Sequence, residues 1–163
     1  MDRVTAAVAL GSNLGDRHAH LRFAIAKLSR LLDEMRLSNI RETEPVGVGV
    51  PQSMFLNAAV VGITTLPARA LLDALLAIEA ERGRERPFPD APRTLDLDLI
   101  LYGDAVVDEP GLQIPHPRFR GRRFVLEPLN EIAPALPDPV TGRTIDELYW
   151  ILIRGTGTGT TTG

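Results

Sequence analysis

Asp96 and Asp98 are the residues of this chain whose type and spacing point most directly to chemistry. They alternate with Leu95, Leu97 and Leu99 in an apolar run, and side chains alternate between the two faces of a strand. The sequence therefore predicts that the leucines face a core and that both carboxylates point the other way, about 7 Å apart along the backbone. Paired carboxylates suit a divalent cation, and Mg²⁺ typically takes one or two of them together with substrate phosphates.

The aspartate pair also has a second interpretation, in which it forms the solvated face of a strand and guards a sheet edge. The neighbouring arginines favour the metal interpretation. They lie at positions 82, 84, 86 and 93 and in the segment Arg118-Phe-Arg-Gly-Arg-Arg123. Positive charge beside a carboxylate pair indicates an anionic ligand, most simply a polyphosphate. A general preference for arginine is the alternative explanation, since lysine occurs only once.

Composition limits the classes of protein to which the chain can belong. The 163 residues fit one domain, and 44% hydrophobic residues are enough for a normal core. A net charge of −3 argues against a general nucleic-acid binder. The absence of cysteine excludes disulfides and thiolate metal sites, and the apolar stretches are too short for a membrane span. We expect a cytoplasmic monomer that binds small molecules and neither nucleic acid nor membrane.

The apolar pattern predicts the elements that must position these groups. It indicates strands over residues 4–10, 36–43, 55–65 and 95–102, and helices over residues 17–34 and from about 67 to 82. This order predicts an α+β fold with a ferredoxin-like βαββαβ core, an antiparallel sheet and helices on one face. A C-terminal extension adds helical segments near residues 126–132 and 145–153. We expect a single domain over residues 1–154 and a flexible low-complexity tail over residues 155–163.

Five motifs in a fixed order carry a resemblance to a known family. They are Ala9-Leu-Gly-Ser-Asn-Leu-Gly15, Phe55-Leu-Asn-Ala-Ala59, Pro92-Arg-Thr-Leu-Asp-Leu-Asp98, Ile114-Pro-His116 and Phe124-Val-Leu-Glu-Pro-Leu129. Over residues 4–150 the chain closely resembles the 6-hydroxymethyl-7,8-dihydropterin pyrophosphokinases of folate biosynthesis. The resemblance implies that ATP and the hydroxymethyl dihydropterin give AMP and the pterin diphosphate, through attack of the pterin hydroxyl on the β-phosphorus.

The resemblance also assigns roles around the phosphates. It implies that Asp96 and Asp98 hold two Mg²⁺ ions and that Arg84 and Arg93 join them as catalytic residues. The ATP-binding residues that it implies are Arg84, Arg86, Arg93, His116 and Arg122. Planar guanidinium groups suit phosphate oxygens. The alternative role for Arg93 is an ion pair that orients Asp96 or Asp98, and the two roles can coexist.

The pterin pocket that the resemblance implies consists of Thr43, Val46, Phe55, Asn57 and Phe124. Phe55 and Asn57 are two positions apart on a predicted strand, so their side chains share a face. In the family the asparagine meets the polar edge of the ring, while aromatic residues line the ring's faces. Without the resemblance, both phenylalanines are explained as core residues.

The segment Arg86-Pro-Phe-Pro-Asp-Ala91 departs from the family pattern, because Ala91 stands where many relatives carry glycine. Its prolines are expected to stiffen a loop that, in the family, closes over the substrates. We therefore predict that residues 87–92 belong to a gating loop.

Two other classes of function compete with this assignment. An RNA-binding module on the same topology requires aromatic residues on the central strands, but aromatic residues make up only 5% of the chain. A metal-dependent phosphohydrolase explains the aspartate pair but leaves Phe55, Asn57 and Phe124 without a role.

Overall fold

The computed structural model describes residues 2–13, 15–43, 54–83 and 94–158, which form an α+β protein. Its strands are β1 (Val4–Ser12), β2 (Asp33–Leu37), β3 (Arg41–Thr43), β4 (Phe55–Thr64), β5 (Asp96–Tyr102), β6 (Val107–Glu109) and β7 (Leu112–Ile114). Its helices are α1 (Arg17–Leu31), α2 (Ala68–Gly83), α3 (Arg123–Ile132) and α4 (Ile145–Thr158), with one 3-10 turn at Phe119–Gly121. In these described ranges, no helix is both long and apolar enough to cross a membrane.

The main sheet is antiparallel and has β1 near its centre. Its strand order is β2-β4-β1-β5, and the short strand β3 also pairs with β4. The register places Gly11 of β1 opposite Asn57 on β4 and Asp96 on β5, and it places Ala9 opposite Asp98. Strands β6 and β7 form a separate hairpin. The register therefore gathers the predicted polar residues of three strands at one end of the sheet.

Helices cover both faces of the main sheet, whereas the sequence predicts helices on one face only. Helices α1 and α2 cover one face, called the α1/α2 face, through a core that includes Val8, Leu10, Leu21, Leu28, Leu71 and Leu75. The C-terminal helices cover the opposite, α3/α4 face through a core that includes Ala7, Ala9, Phe119, Val125, Leu126 and Leu129. The second layer of helices explains why residues 6–9 of β1 are all buried, without the alternation of a sheet that has one solvated face.

The strand predicted at residues 36–43 is two strands, because Ser38 interrupts the pairing. Its hydroxyl accepts a hydrogen bond from the backbone N–H of Ala59 at 2.9 Å, and its own N–H donates to the Ala59 carbonyl at 3.0 Å. A side chain thus takes the place of one backbone group, and regular pairing resumes at Arg41. Helix α1 also ends earlier than predicted, since the extended residue Leu32 packs closely over Gly62, where a Cβ atom would lie 2.7 Å from that of Leu32.

The C-terminal helix is longer than the sequence predicts. Helix α4 continues through Thr158, which is inside the segment predicted as a flexible tail. Because glycine and threonine are weak helix formers, this last turn is expected to be the least stable part of α4. Residues 159–163 lie outside the described residues.

Asp138 ties the connection between α3 and α4 to the 3-10 turn. Its side chain is fully buried and accepts hydrogen bonds from Arg120 Nε at 2.6 Å, Arg120 Nη2 at 3.0 Å, Thr141 Oγ1 at 2.7 Å and the Val140 N–H at 3.0 Å. Burial raises the pKa of the Asp138 carboxyl, but the bonds from Arg120, Thr141 and Val140 outweigh it and hold the pKa below the ordinary value of 3.8. The hydrogen bonds of Asp138 thus fix the 3-10 turn, which leads into α3.

Candidate active site

Asp96 and Asp98 form a wall that two cavities share at one end of the main sheet. Both aspartates are half-buried and line both cavities. Leu95, Leu97 and Leu99 are between 2% and 4% exposed, and they lie in the core of the α1/α2 face. The predicted alternation along this strand is therefore observed, and the two carboxylates lie on the α3/α4 face.

The first cavity, called the hairpin cavity, lies between α2, β5 and the hairpin of β6 and β7. Its volume is about 690 Å³, and its lining residues outside β5 include Leu72, Leu76, Glu79, Gly111, Leu112 and His116. Apart from His116, none of these residues is among those assigned a role from the sequence. The hairpin follows β5 in the chain and folds back beside it, so the pocket exists only after the tertiary structure has formed.

His116 lines the hairpin cavity as a neutral hydrogen-bond donor. Its own N–H donates to the Ile100 carbonyl at 2.9 Å, and its Nδ1 accepts from the Arg118 N–H at 3.2 Å. Burial lowers the pKa of His116, the positive charges of Arg122 and Arg118 lower it further, and Asp96 opposes them. Because Nδ1 is an acceptor, the neutral ring carries its proton on Nε2. This N–H is suited to an anionic oxygen.

The second cavity, called the aromatic slot, lies between β3 and β4 on one side and the start of α3 on the other. Its volume is about 530 Å³. Four of the five residues predicted to bind the pterin line it, namely Thr43, Phe55, Asn57 and Phe124. The fifth, Val46, lies outside the described residues. The structure thus brings the described members of the predicted pocket together around one space.

Asn57 presents a fixed amide to the aromatic slot. Its side-chain nitrogen Nδ2 donates a hydrogen bond to Thr43 Oγ1, and the residue is only 6% exposed. A Cβ atom added to Gly11 would lie 3.4 Å from Asn57 Oδ1, so the amide oxygen borders the gap above Gly11. The missing side chain at Gly11 keeps the floor of the slot open between Asn57 and Asp96.

Arg122 lies on the slot side of the aspartates, although the resemblance places it with ATP. It lines the aromatic slot, and its guanidinium carbon is 5.6 Å from the centre of the Phe124 ring. Its positive charge nevertheless lowers the pKa of His116 in the hairpin cavity. The predicted phosphate ligands Arg84, Arg86 and Arg93 and the predicted gating loop at residues 87–92 lie outside the described residues.

The donor set at the aspartate pair fits Mg²⁺ better than a metal held by protein ligands alone. Within the part of the chain that the structure describes, no group of three or more His, Cys, Asp or Glu side chains is placed to hold a metal ion. Two carboxylates without a third protein ligand match an ion whose remaining positions are filled by water and substrate phosphates. They do not match a tetrahedral zinc site or a calcium cage.

Comparisons with known proteins identify the family of this chain. The family model described as 7,8-dihydro-6-hydroxymethylpterin-pyrophosphokinase matches residues 7–134. A 2-amino-4-hydroxy-6-hydroxymethyldihydropteridine pyrophosphokinase from Synechocystis sp. is 43% identical over 145 residues, which cover 88% of this chain and 73% of the relative. The protein of the same name from Pseudomonas aeruginosa is 42% identical over 144 residues, which cover 86% of this chain and 87% of the relative.

Solved structures show the same fold at low sequence identity. A crystal structure of a Plasmodium falciparum HPPK-DHPS triple mutant with SDX-DHP aligns over 97% of this chain with a TM-score of 0.78 and 16% identity. The wild-type Plasmodium falciparum HPPK-DHPS aligns over 98% with a TM-score of 0.75 and 15% identity. This chain spans 46% and 47% of those two chains, respectively, and at such identity the likeness concerns the fold alone.

Proposed function

The chain belongs to the 7,8-dihydro-6-hydroxymethylpterin-pyrophosphokinase family and transfers diphosphate from ATP to hydroxymethyldihydropterin in folate synthesis, and we propose that its two cavities divide these substrates. ATP occupies the hairpin cavity, and the dihydropterin occupies the aromatic slot. The observation that carries this proposal is the position of Asp96 and Asp98, which line both cavities. The diphosphoryl group must pass from ATP to the pterin beside these two carboxylates.

Asp96 and Asp98 are the proposed ligands of two Mg²⁺ ions that are shared with the triphosphate. The support is the donor set, since the described residues offer two carboxylates and no cluster of three. When bound, the ions supply neutralisation of phosphate charge and alignment of the attacking and leaving oxygens. In this proposal the enzyme is Mg²⁺-dependent.

On the pterin side, the residues of the slot bind and orient the ring. Thr43 holds the amide of Asn57 through Nδ2, which leaves the amide oxygen as an acceptor for ring N–H groups. Phe55 and Phe124 pack on the ring, and the backbone near Val46 contributes further contacts. The pterin hydroxyl oxygen forms a bond to the β-phosphorus and its proton passes to water, while the bond from that phosphorus to the oxygen bridging the α-phosphate breaks and AMP leaves with that oxygen. Such transfer needs positioning and charge neutralisation more than a strong base.

On the ATP side, His116 and the arginines bind phosphate oxygens. The neutral His116 donates through Nε2, and Arg122 contributes positive charge from the slot side of the aspartates. Arg84, Arg86 and Arg93 complete this set in the proposal, with Arg84 and Arg93 as catalytic residues next to the transferred phosphate. Their support is the position of their motif directly before β5 in the chain.

We also propose that the sheet is the core of a ferredoxin-like βαββαβ fold. The strand order and the antiparallel pairing support this topology, if β2 and β3 are counted as one interrupted strand. We take residues 1–154 as a single domain that works as a monomer in the cytoplasm. The net charge of −3 supports small-molecule substrates over nucleic acid as partners. Sedimentation velocity tests the monomer, and cell fractionation tests the location.

A coupled assay for AMP tests the division of substrates between the cavities. We expect AMP formation that requires both hydroxymethyl dihydropterin and Mg²⁺. Binding of a non-hydrolysable ATP analogue, measured by calorimetry, should be weakened by Leu76→Glu, which places a negative charge at an exposed position of the hairpin cavity. Binding of the pterin should be weakened by Phe124→Ala in the slot. Release of phosphate from ATP at the same rate without pterin would indicate a phosphohydrolase and overturn the proposal.

A further inference from the structure

We infer that Arg41 and Glu131 form a positioning brace for the pterin side of the aromatic slot, an inference that rests on the proposed function. Neither residue lines the slot. Glu131 lies on α3, the helix that carries Phe124, whereas Arg41 lies on β3, the strand that carries Thr43. The brace therefore joins the two elements that face each other across the bound ring.

The contacts of the brace are close and converge on one carboxylate. Arg41 Nη2 lies 2.8 Å from Glu131 Oε1. The N–H of Asn39, just before β3, donates to both oxygens of Glu131, at 3.2 Å and 3.0 Å. Arg41 Nε also lies 3.8 Å from Glu127 Oε1, one helical turn earlier on α3. Because Arg41 and Glu131 are each roughly 30% exposed, solvent screens this pair only in part.

Strand β3 needs such a support because it has little else to hold it. It is three residues long, and β4 is its only pairing partner among the described strands. Side chains two positions apart on a strand share a face, so Arg41 and Thr43 both point to the α3/α4 face. On the opposite face, Glu42 binds Arg17 of α1 at 3.1 Å. That contact holds β3 toward α1 but does not set its distance from α3.

The position of Thr43 determines which atom of Asn57 the substrate meets. Thr43 Oγ1 accepts from Asn57 Nδ2, so the amide oxygen is left to border the gap above Gly11. If Thr43 moves away, the amide is free to rotate and to present its N–H groups in place of the oxygen. A ring donor then meets a donor, and a buried polar group is left unpaired. The brace thus acts on pterin recognition through Thr43 and Asn57.

The arrangement around Arg41 is not one that stability alone favours. Arg41 Nη1 is buried and has no hydrogen-bond partner among the described residues, and an unsatisfied buried donor is destabilising. Glu127 and Glu131 are also like charges at positions i and i+4 of one helix, which repel each other. Local arrangements that are unfavourable by themselves are commonly retained at functional sites.

The test measures pterin and nucleotide binding separately on the full-length enzyme. Calorimetry with hydroxymethyl dihydropterin, in the presence of Mg²⁺ and a non-hydrolysable ATP analogue, is compared for the wild type, Arg41→Ala, Glu131→Ala and the double variant. We expect pterin Kd to rise about tenfold in each single variant, the loss of roughly one good hydrogen bond. The double variant should bind the pterin no more weakly than the single variants, because each single substitution already removes the Arg41–Glu131 interaction. Kd for the ATP analogue should change less than about twofold.

Arg36→Ala is the matched control. Arg36 of β2 also donates to α3, through Nη1 to the Ile132 carbonyl, but it does not contact β3 through a hydrogen bond or an ion pair in the described residues. The pterin Kd of Arg36→Ala should stay near the wild-type value. This result would distinguish an effect of the brace from a general loss of contacts between α3 and the sheet. Glu131→Gln is the second variant if an alanine variant fails to fold. It keeps an acceptor for Asn39 but loses the charge that attracts Arg41, so its pterin Kd should be intermediate.

Each contrary result has a distinct meaning. Unchanged pterin affinity in folded Arg41→Ala and Glu131→Gln proteins overturns the brace and leaves the proposed function intact. Equal losses for pterin and nucleotide, or an equal loss in Arg36→Ala, overturn it as well, because they indicate general destabilisation. If the wild-type enzyme itself binds no dihydropterin, the proposed use of the slot fails, and the brace fails with it.

Discussion

The two faces of the main sheet are made from the same strands, yet Asn57 and the aspartate pair lie on only one of them. On the α1/α2 face, Leu10 and Leu97 lie opposite each other and continue the aliphatic core to the end of the sheet. On the α3/α4 face, the next row along the strands holds Gly11 between Asn57 and Asp96. One residue step along β1 thus separates a packed core from an open polar floor.

This difference shows how the fold separates stability from chemistry. Because side chains alternate between faces, Leu95, Leu97 and Leu99 anchor β5 in the α1/α2 core, while Asp96 and Asp98 point to the opposite face. Substitutions of these two sets of residues should therefore have opposite effects. Those in the buried core of the α1/α2 face should affect folding, and those of polar residues at the end of the α3/α4 face should affect turnover or binding.

The largest effect should come from the aspartates. We expect Asp96→Ala and Asp98→Ala each to lower kcat about 10³-fold or more, equivalent to about 4 kcal/mol of transition-state stabilisation. The free energy of unfolding in urea should stay the same or rise, since each change removes one of two neighbouring like charges. Near-wild-type turnover of either variant at saturating Mg²⁺ would contradict the metal assignment.

Leu95→Ala, directly before those two aspartates, should give the reverse result. Leu95 is 2% exposed in the core of the α1/α2 face and lines neither cavity, and truncating a buried leucine typically destabilises a protein by about 2–5 kcal/mol. Urea unfolding measures this loss, while kcat at a temperature where the variant is folded should fall far less than in the aspartate variants. A kcat loss as large as theirs, with little destabilisation, would mean that the two faces are not separate in function.

Gly11→Val sharpens the comparison at the floor of the slot. A Cβ at this position meets Asn57 Oδ1 at 3.4 Å, and the two further methyl groups of valine must enter the space that the ring occupies. Overpacking of this kind costs about 1–3 kcal/mol, so we expect pterin Kd to rise about tenfold or more while nucleotide Kd is unchanged. Gly155→Val is the control for added bulk, since a Cβ there has no neighbour within 4 Å. Unchanged pterin binding would show that the floor is not in contact with the substrate.

The smallest effect concerns the acid stability of the α3/α4 face. The pKa of Asp138 is lower in the folded protein than its ordinary value of 3.8, so this carboxylate stabilises the fold fully above that value. The contribution is lost as pH falls below 3.8 through the lower folded-state pKa. In Asp138→Asn, urea stability should be lower at neutral pH, and its decline in this acidic range should be shallower. A decline as steep as in the wild type would mean that other carboxyl groups govern acid unfolding.

The parts of the fold that depend on local periodicity were predictable from the sequence. Helix α1, helix α2 and strand β5 follow from the spacing of their apolar residues, and the shared face of Asp96 and Asp98 follows from strand alternation. The break between β2 and β3 does not follow, because it depends on a hydrogen bond between Ser38 and Ala59, which are far apart in the chain. The cover of the second face by α3 and α4 is likewise a property of tertiary packing.

The candidate site was predictable in its residues more than in its arrangement. The motifs identified Thr43, Phe55, Asn57 and Phe124, which the structure places around one slot. They did not indicate the walls of the hairpin cavity or the place of Arg122 in the wall of the aromatic slot. Those features depend on how the hairpin and the start of α3 pack against β5. No local sequence pattern encodes the distance between these elements.

The pairing of β5 has a consequence for amide hydrogen exchange. Strand β1 is paired on both sides and covered on both faces, so its amides should exchange only when the whole protein unfolds. Strand β5 pairs with β1 alone among the described strands, and the N–H of Leu97 is bound by Glu79 Oε2 of α2 at 2.6 Å. That amide should exchange through local separation of α2 from β5, at a lower free energy than the amides of β1. The aspartate pair thus lies between β1, expected to exchange slowest among the described strands, and an amide whose exchange needs only the separation of α2 from β5. Nucleotide binding between α2 and β5 should slow the exchange at Leu97.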